Sequence, residues 1–80
     1  MNLYGQIKRI EYIDFLIRTR ATGTPAQLAH RLGISQSQLF QTIKTMKCDM
    51  EAPIGYSRYL QSYYYRDNVR FRCTFEHLES

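Results

Sequence analysis

The first part of the chain carries apolar residues at helical spacing. One stripe recurs at intervals of three or four positions and comprises Leu3, Ile7, Ile10, Ile13 and Ile17. Leu16 widens this stripe, and polar or charged residues occupy most of the positions between. The periodicity predicts an amphipathic helix over residues 3–20 whose stripe faces a core.

Three aromatic residues of this segment, Tyr4, Tyr12 and Phe15, fall off the stripe, on another side of the predicted helix. Two interpretations of these aromatic residues stay open. Exposed aromatic side chains on a small domain often mark a contact surface, but such residues also pack within a monomer. They either pack within the monomer, over the predicted sheet, or form a contact between copies of the chain. Tyr12 and Phe15 are the candidates for a dimer contact.

Residues 23–40 contain one short pattern twice, a hydroxyl residue followed three positions later by glutamine. The two copies are Thr24 with Gln27 and Ser35 with Gln38. In such a capping box the hydroxyl caps a helix N-terminus, and the glutamine side chain returns a bond to the backbone of the cap. The pattern therefore predicts helices over residues 25–32 and 36–47.

A glycine separates these two helices. Gly33 stands where a helix commonly ends in a left-handed residue. Ile34 follows it and precedes the next cap, so it can close one helix and pack against Leu39 at the start of the other. The predicted buried positions are Leu28, Ala29 and Leu32 in the first of these helices and Leu39, Ile43 and Met46 in the second.

The chain changes character after residue 50, where proline, glycine and alternating residues predict β-structure. Two strands are predicted over residues 54–58 and 62–65, forming a hairpin over about 54–65. Asp67 and Asn68 indicate a turn. Apolar and polar residues then alternate over 69–75, which predicts a further short strand with a basic outer face.

Composition narrows the class of protein. Eighty residues with 44% hydrophobic and 22% charged content predict a single globular domain. The net charge of +4 and the pI near 9.3 favour a polyanionic partner. We expect no transmembrane helix and no signal peptide, because charges interrupt every apolar run. The expected location is therefore the cytoplasm.

Catalytic and metal-site patterns are weak. Cys48 and Cys73 form no Cys-x-x-Cys pair, so we interpret them as reduced thiols rather than metal ligands. Neither His30 nor His77 has a recognisable nucleophile or carboxylate partner in the sequence. There is no phosphate-binding glycine loop. We expect no enzyme activity, no cofactor, no metal and no small-molecule effector.

Two stretches together resemble a known family. "TGTPAQLAHRLGISQSQLFQTIKTMK" and "APIGYSRYLQSYYY" resemble the DeoR-like winged helix-turn-helix domains of bacterial transcriptional regulators, including those of WYL-domain regulators and of the biotin-repressor type. The resemblance covers roughly residues 7–65. It implies an α+β winged helix-turn-helix of three helices followed by a β-hairpin wing and a further short strand. It also implies sequence-specific binding of double-stranded DNA, with the third helix in the major groove and the wing on the backbone or minor groove. The location that this implies is the cytoplasm, in association with the nucleoid.

The predicted DNA-binding residues lie on the third helix, at its flanks and in the wing. On the third helix they are Gln36, Ser37, Gln38, Gln41, Lys44 and Thr45, and for the backbone or wing they are Thr24, Lys47, Arg58 and Tyr59. Glutamine pairs bidentately with adenine, whereas lysine serves phosphates better. Because Gln27 and Gln38 have capping bonds available, Gln36 and Gln41 are the better candidates for reading a base.

The third helix differs from that of many family members in having no positive charge before Lys44. An alternative function is therefore a winged helix used for protein–protein contact or assembly, without specific DNA binding. Tyr59 and Leu60, apolar residues at the predicted hairpin tip, favour this alternative. A homodimer is a further possible partner state, since winged-helix regulators often read two half-sites.

Overall fold

Three helices followed by one β-hairpin make up the fold in the computed structural model, which describes residues 2–73, 75 and 78. The helices are α1 (Leu3–Arg18), α2 (Pro25–Leu32) and α3 (Gln36–Cys48), and the strands are β1 (Ile54–Ser57) and β2 (Ser62–Tyr65). The two strands pair antiparallel, with Ile54 opposite Tyr65 and Ser57 opposite Ser62. This order confirms the predicted α+β layout of helices followed by a hairpin, and it is compatible with a winged helix.

Helix α1 ends at Arg18 rather than at residue 20. The reason is local, because Arg20 adopts the left-handed conformation with φ of 54°. The Ala21 N–H then donates to the Leu16 carbonyl at 2.9 Å, which closes the helix in a Schellman-type end. At the other end, the Asn2 side chain accepts a 2.8 Å hydrogen bond from the Gly5 N–H and caps the first turn.

The turn between α2 and α3 has the predicted glycine geometry. Gly33 is left-handed, with φ of 69°, and the Ile34 N–H donates to the Ala29 carbonyl at 3.0 Å. A residue with a Cβ would be strained at this φ, so glycine is the residue that permits the sharp turn. The start of α3 is thereby held close against the end of α2.

One apolar core joins the helices to the hairpin. Its buried members are Ile13, Leu16, Ile17, Leu28, Ala29, Leu39, Ile43, Met46, Ile54 and Tyr63. The predicted α3 stripe of Leu39, Ile43 and Met46 is confirmed, whereas Leu32 of α2 is only half-buried. Only the second half of the α1 stripe is buried in the core. Leu3, at the start of the stripe, is 71% exposed.

A buried carboxylate holds three segments of the chain together. Asp14 of α1 is 2% exposed and accepts hydrogen bonds from Arg18 Nε at 2.9 Å, from the Tyr65 hydroxyl at 2.7 Å and from the Phe71 N–H at 2.9 Å. Burial raises the pKa of the Tyr65 phenol, and its hydrogen bond to Asp14 raises that pKa further. The carboxylate is therefore paired and hydrogen-bonded, as a buried charge must be.

The predicted strand over 69–75 is wrong for the residues that the structure describes. Residues 69–73 and 75 form no strand, and residue 74 lies outside the described part of the chain. Alternating residues give the correct period, but a strand also needs a neighbour for its backbone N–H groups. Here the Phe71 N–H donates to the Asp14 carboxylate instead of to another strand.

A second buried polar cluster joins the α1–α2 connection to the hairpin. Thr22 and Ser62 are each 1% exposed, and their hydroxyl oxygens lie 3.1 Å apart. The Thr22 hydroxyl accepts from the Tyr63 N–H at 2.9 Å and donates to the Gly23 carbonyl at 2.9 Å. This cluster fixes the entry to α2 relative to the hairpin, and so positions the helix pair that carries the candidate site.

Candidate nucleic-acid interface

The outer side of α3 is polar and exposed. Because side chains three and four positions apart share a helix face, burial of Leu39, Ile43 and Met46 turns the opposite face toward solvent. That face carries Ser37, Gln41 and Lys44, all of which are exposed. Gln36 is exposed at the N-terminal end of the helix, and Lys47 near its C-terminal end. We call these five residues the polar ridge of α3, and the half-exposed ring of Phe40 lies among them.

The two capping boxes form as predicted. The Ser35 hydroxyl accepts from the Gln38 N–H at 3.1 Å, and Gln38 Oε1 accepts from the Ser35 N–H at 3.1 Å. The Thr24 hydroxyl and the Gln27 side chain make the corresponding bonds at 3.2 and 2.8 Å.

The capping bonds determine which glutamine side chains are free to contact a base. The Oε1 atom of Gln38 is occupied at the cap, so a bidentate contact of this amide with a base would break the cap. Gln36 and Gln41 stand outside both boxes. Of the predicted base-reading residues, these two keep their whole amide available to a ligand.

Thr45 is oriented differently from the prediction. It is half-buried and lines a groove between α1 and α3 rather than lying on the outer ridge. The groove is lined by Gln6, Arg9, Ile10, Gln41, Thr42 and Thr45. Gln41 therefore stands at the border between the ridge and the groove.

Arg9 is a candidate residue that the sequence does not indicate. It belongs to α1, more than thirty positions before Gln41, yet it lines the same groove as that residue. Arg9 is the one basic residue of α1 among those that line this groove, which Gln41 of α3 also lines. No sequence pattern signals this, because the proximity arises from the way that α1 packs across α3.

The hairpin tip presents Arg58 and Tyr59. Both are exposed, and the Tyr59 side chain is 95% exposed. The tip is formed by the residues between β1 and β2 and is closed by a hydrogen bond from the Leu60 N–H to the Ser57 hydroxyl at 3.1 Å. Gln61 completes the turn in the left-handed conformation, with φ of 50°. The tip is thus an ordered projection with one cation and one exposed aromatic ring.

Electrostatics favours an anionic partner for this part of the surface. No aspartate or glutamate occurs between Asp14 and Asp49, a stretch that contains all of α2 and α3. Asp14 itself is buried against Arg18. The positive charges of Lys44 and Lys47 are therefore not offset by any carboxylate on α2 or α3.

Three aromatic residues of α1 and α3 remain partly exposed. Phe40 of α3 is 50% exposed. Tyr12 and Phe15 of α1 are 43% and 51% exposed. These rings leave apolar area on the surface, which bears on partners other than nucleic acid.

The described residues contain no group of three or more His, Cys, Asp or Glu side chains placed to hold a metal ion. Cys48 and Cys73 are both exposed and unbridged. Over the same part of the chain, no helix combines the length and the apolar character needed to cross a membrane.

Comparison of the chain with protein-family models, with curated proteins and with solved structures finds no match.

Proposed function

We propose that the chain is a winged helix-turn-helix protein of the DeoR-like type that binds double-stranded DNA, as a small bacterial transcription regulator acting in the cytoplasm. One observation carries the proposal. Helix α3 is held by a capping box and a left-handed glycine so that its polar ridge is exposed, and no carboxylate lies on α2 or α3. A major groove admits such a helix, and its phosphates favour a surface free of negative charge.

In this proposal some residues of the α3 ridge contact bases and others contact phosphates. Gln41 and Gln36 pair with adenine through their free amides, and Ser37 contacts a base or a phosphate. Lys44 and Lys47 neutralise phosphates, and Arg9 adds a cation from α1 at the border of the ridge. Arg58 at the hairpin tip contacts the neighbouring backbone or the minor groove.

The caps position these groups without contacting bases themselves. Gly23 has φ of 73°, and a Cβ there would collide with the capping side chain of Gln27. The N-terminus of α2 is therefore built closely around Thr24 and Gln27, whose bonds keep α2 and hence α3 in place. Thr24 serves this structural role, and any phosphate contact by its hydroxyl is secondary to the cap.

Selection from a random pool of duplexes, followed by titration of the best binders over a salt series, tests the proposal. We expect one enriched sequence class and an affinity that falls steeply as salt rises. Gln41→Ala should reduce the preference for adenine at one position, by about 1–3 kcal/mol of discrimination. Lys44→Ala should weaken all duplexes alike and reduce the salt slope by about 1.

A matched control uses a cation outside the interface. Arg72→Ala removes the same charge from the exposed segment after the hairpin and should leave the sequence preference unchanged. If no duplex in the pool binds more tightly than bulk DNA, specific recognition is wrong. If Gln41→Ala and Arg72→Ala behave alike, the ridge of α3 is not the reading surface.

The second candidate function is a protein-interaction module, and the 95% exposed ring of Tyr59 favours it. A contact through this ring would depend little on salt, whereas phosphate contacts depend on it strongly. Tyr59→Ala therefore discriminates between the two functions. It should abolish binding of a protein partner but change DNA affinity much less than Lys44→Ala does.

A further inference from the structure

The outward side of α1 is a narrow exposed face with aromatic ends and a charged centre. Tyr4 and Phe15 are 67% and 51% exposed, although they are large apolar side chains. Between them, Lys8 Nζ lies 3.4 Å from Glu11 Oε1, with both side chains exposed. The spacing of four, three and four positions places all four residues on one side of the helix, which is the spacing of a two-helix seam.

We infer that this α1 seam (Tyr4, Lys8, Glu11 and Phe15) is the contact between two copies of the chain, packed as antiparallel helices about a twofold axis. A twofold axis halfway between Lys8 and Glu11 places each Lys8 opposite the other copy's Glu11. The same axis places each Tyr4 opposite the other copy's Phe15. One residue pattern is thereby complementary to itself, as an interface with twofold symmetry requires.

Charge decides the direction of the pair. In a parallel pair Lys8 would meet Lys8 and Glu11 would meet Glu11, and juxtaposed like charges oppose association. In the antiparallel pair two lysines and two glutamates alternate around the axis. The Tyr4 and Phe15 rings then cover the charges at both ends, and Tyr12, exposed at the border of the seam, adds apolar area.

The size of the seam sets the expected strength. The facing sides of two helices of this length bury less than the ~1,200 Å² typical of stable complexes. We therefore expect weak self-association that requires a high protein concentration to be detected. The seam lies on the side of α1 opposite the core, so the dimer leaves the hairpin and the core unchanged.

Charge reversal tests both the contact and its direction. Lys8→Glu produces a chain whose seam is wholly acidic, and Glu11→Lys one whose seam is wholly basic. Sedimentation velocity over a concentration series should show self-association of the wild-type chain, and about tenfold weaker association for each variant alone. An equimolar mixture of the two variants should form a one-to-one heterodimer at least as stable as the wild-type homodimer, because every facing pair is then of opposite charge.

The self-association experiment contains no DNA, so its outcome does not depend on whether the proposed DNA binding is correct. Arg31→Glu, a charge reversal at an exposed position of α2, should associate like the wild-type chain. Circular dichroism should show that all variants are folded, since both seam charges are exposed. The inference is wrong if the wild-type chain stays monomeric up to about 1 mM. It is also wrong if either variant alone associates as tightly as wild type, or if the mixture forms no heterodimer.

Discussion

The start of α3 and the buried side of α1 are both held by hydrogen bonds to a polar side chain, but over very different chain separations. Ser35 and Gln38 cap α3 across three positions of sequence. Asp14 receives its bonds from Tyr65 and Phe71, 51 and 57 positions away. The cap is exposed and the carboxylate is buried, so water replaces the lost bonds of the first far more easily than those of the second.

This difference has an energetic consequence. A capping hydroxyl satisfies one backbone N–H that would otherwise bond to solvent, so its removal has a modest effect. Removal of Asp14 leaves the Phe71 N–H, the Tyr65 hydroxyl and the Arg18 guanidinium without their buried acceptor. Substitutions in the two regions should therefore differ in the size of their effect on stability.

The largest effect is expected for Asp14→Ala. Loss of the buried acceptor should lower the free energy of unfolding by about 3 kcal/mol, measured by urea denaturation. Asp67→Ala, which removes an exposed carboxylate, is the control and should change stability by about 0.5 kcal/mol or less. A loss below about 1 kcal/mol for Asp14→Ala would contradict the role of the cluster as the main tie between α1 and the segment after the hairpin.

A smaller effect is expected for Ser35→Ala. Loss of the α3 cap should cost about 1 kcal/mol, because the Gln38 N–H then bonds only to water. Ser37→Ala changes the same residue type two positions later, where no cap bond exists, and should be nearly neutral. Equal losses for the two variants would show that the cap contributes nothing beyond a polar surface residue.

The smallest effect concerns pH and the Tyr65 phenol. Its pKa is raised above the ordinary value of 10.0, so the folded state favours the protonated form. This contribution is complete below pH 10 and is lost as the pH rises through the raised pKa. We expect the free energy of unfolding to fall more steeply above pH 10 for the wild-type chain than for Tyr65→Phe. Tyr59→Phe, at an exposed position, should keep the wild-type slope, and a slope equal to that of Tyr65→Phe would contradict the assignment.

Most local structure could be predicted from sequence. The two capping boxes, the left-handed Gly33 and the buried stripe of α3 each depend on residues within a few positions, and all three form as predicted. The helices and the hairpin follow the predicted order for the same reason. The α1 boundary differs because Arg20 takes a left-handed conformation that glycine or asparagine usually signals.

The candidate site could be predicted only in part. The exposed ridge with Ser37, Gln41 and Lys44 follows from helical periodicity. Thr45 turns toward α1 and Arg9 joins the groove because of the way that α1 packs against α3, and the sequence contains no signal of that packing. DNA binding itself stays a prediction, carried by the exposed ridge and by the absence of carboxylates on α2 and α3.

The sequence by itself determined where α2 and α3 begin, which of their faces is buried and which glutamines are used as caps. These features depend on hydrogen bonds and periodicities within one or two helical turns. Only the tertiary structure decided that Asp14 is a buried acceptor, that residues 69–73 form no strand, and that α1 is buried along half of its stripe. In each case the group that makes the contact is distant in the chain. An alternating or helical pattern does not indicate which distant backbone group or side chain will be that partner.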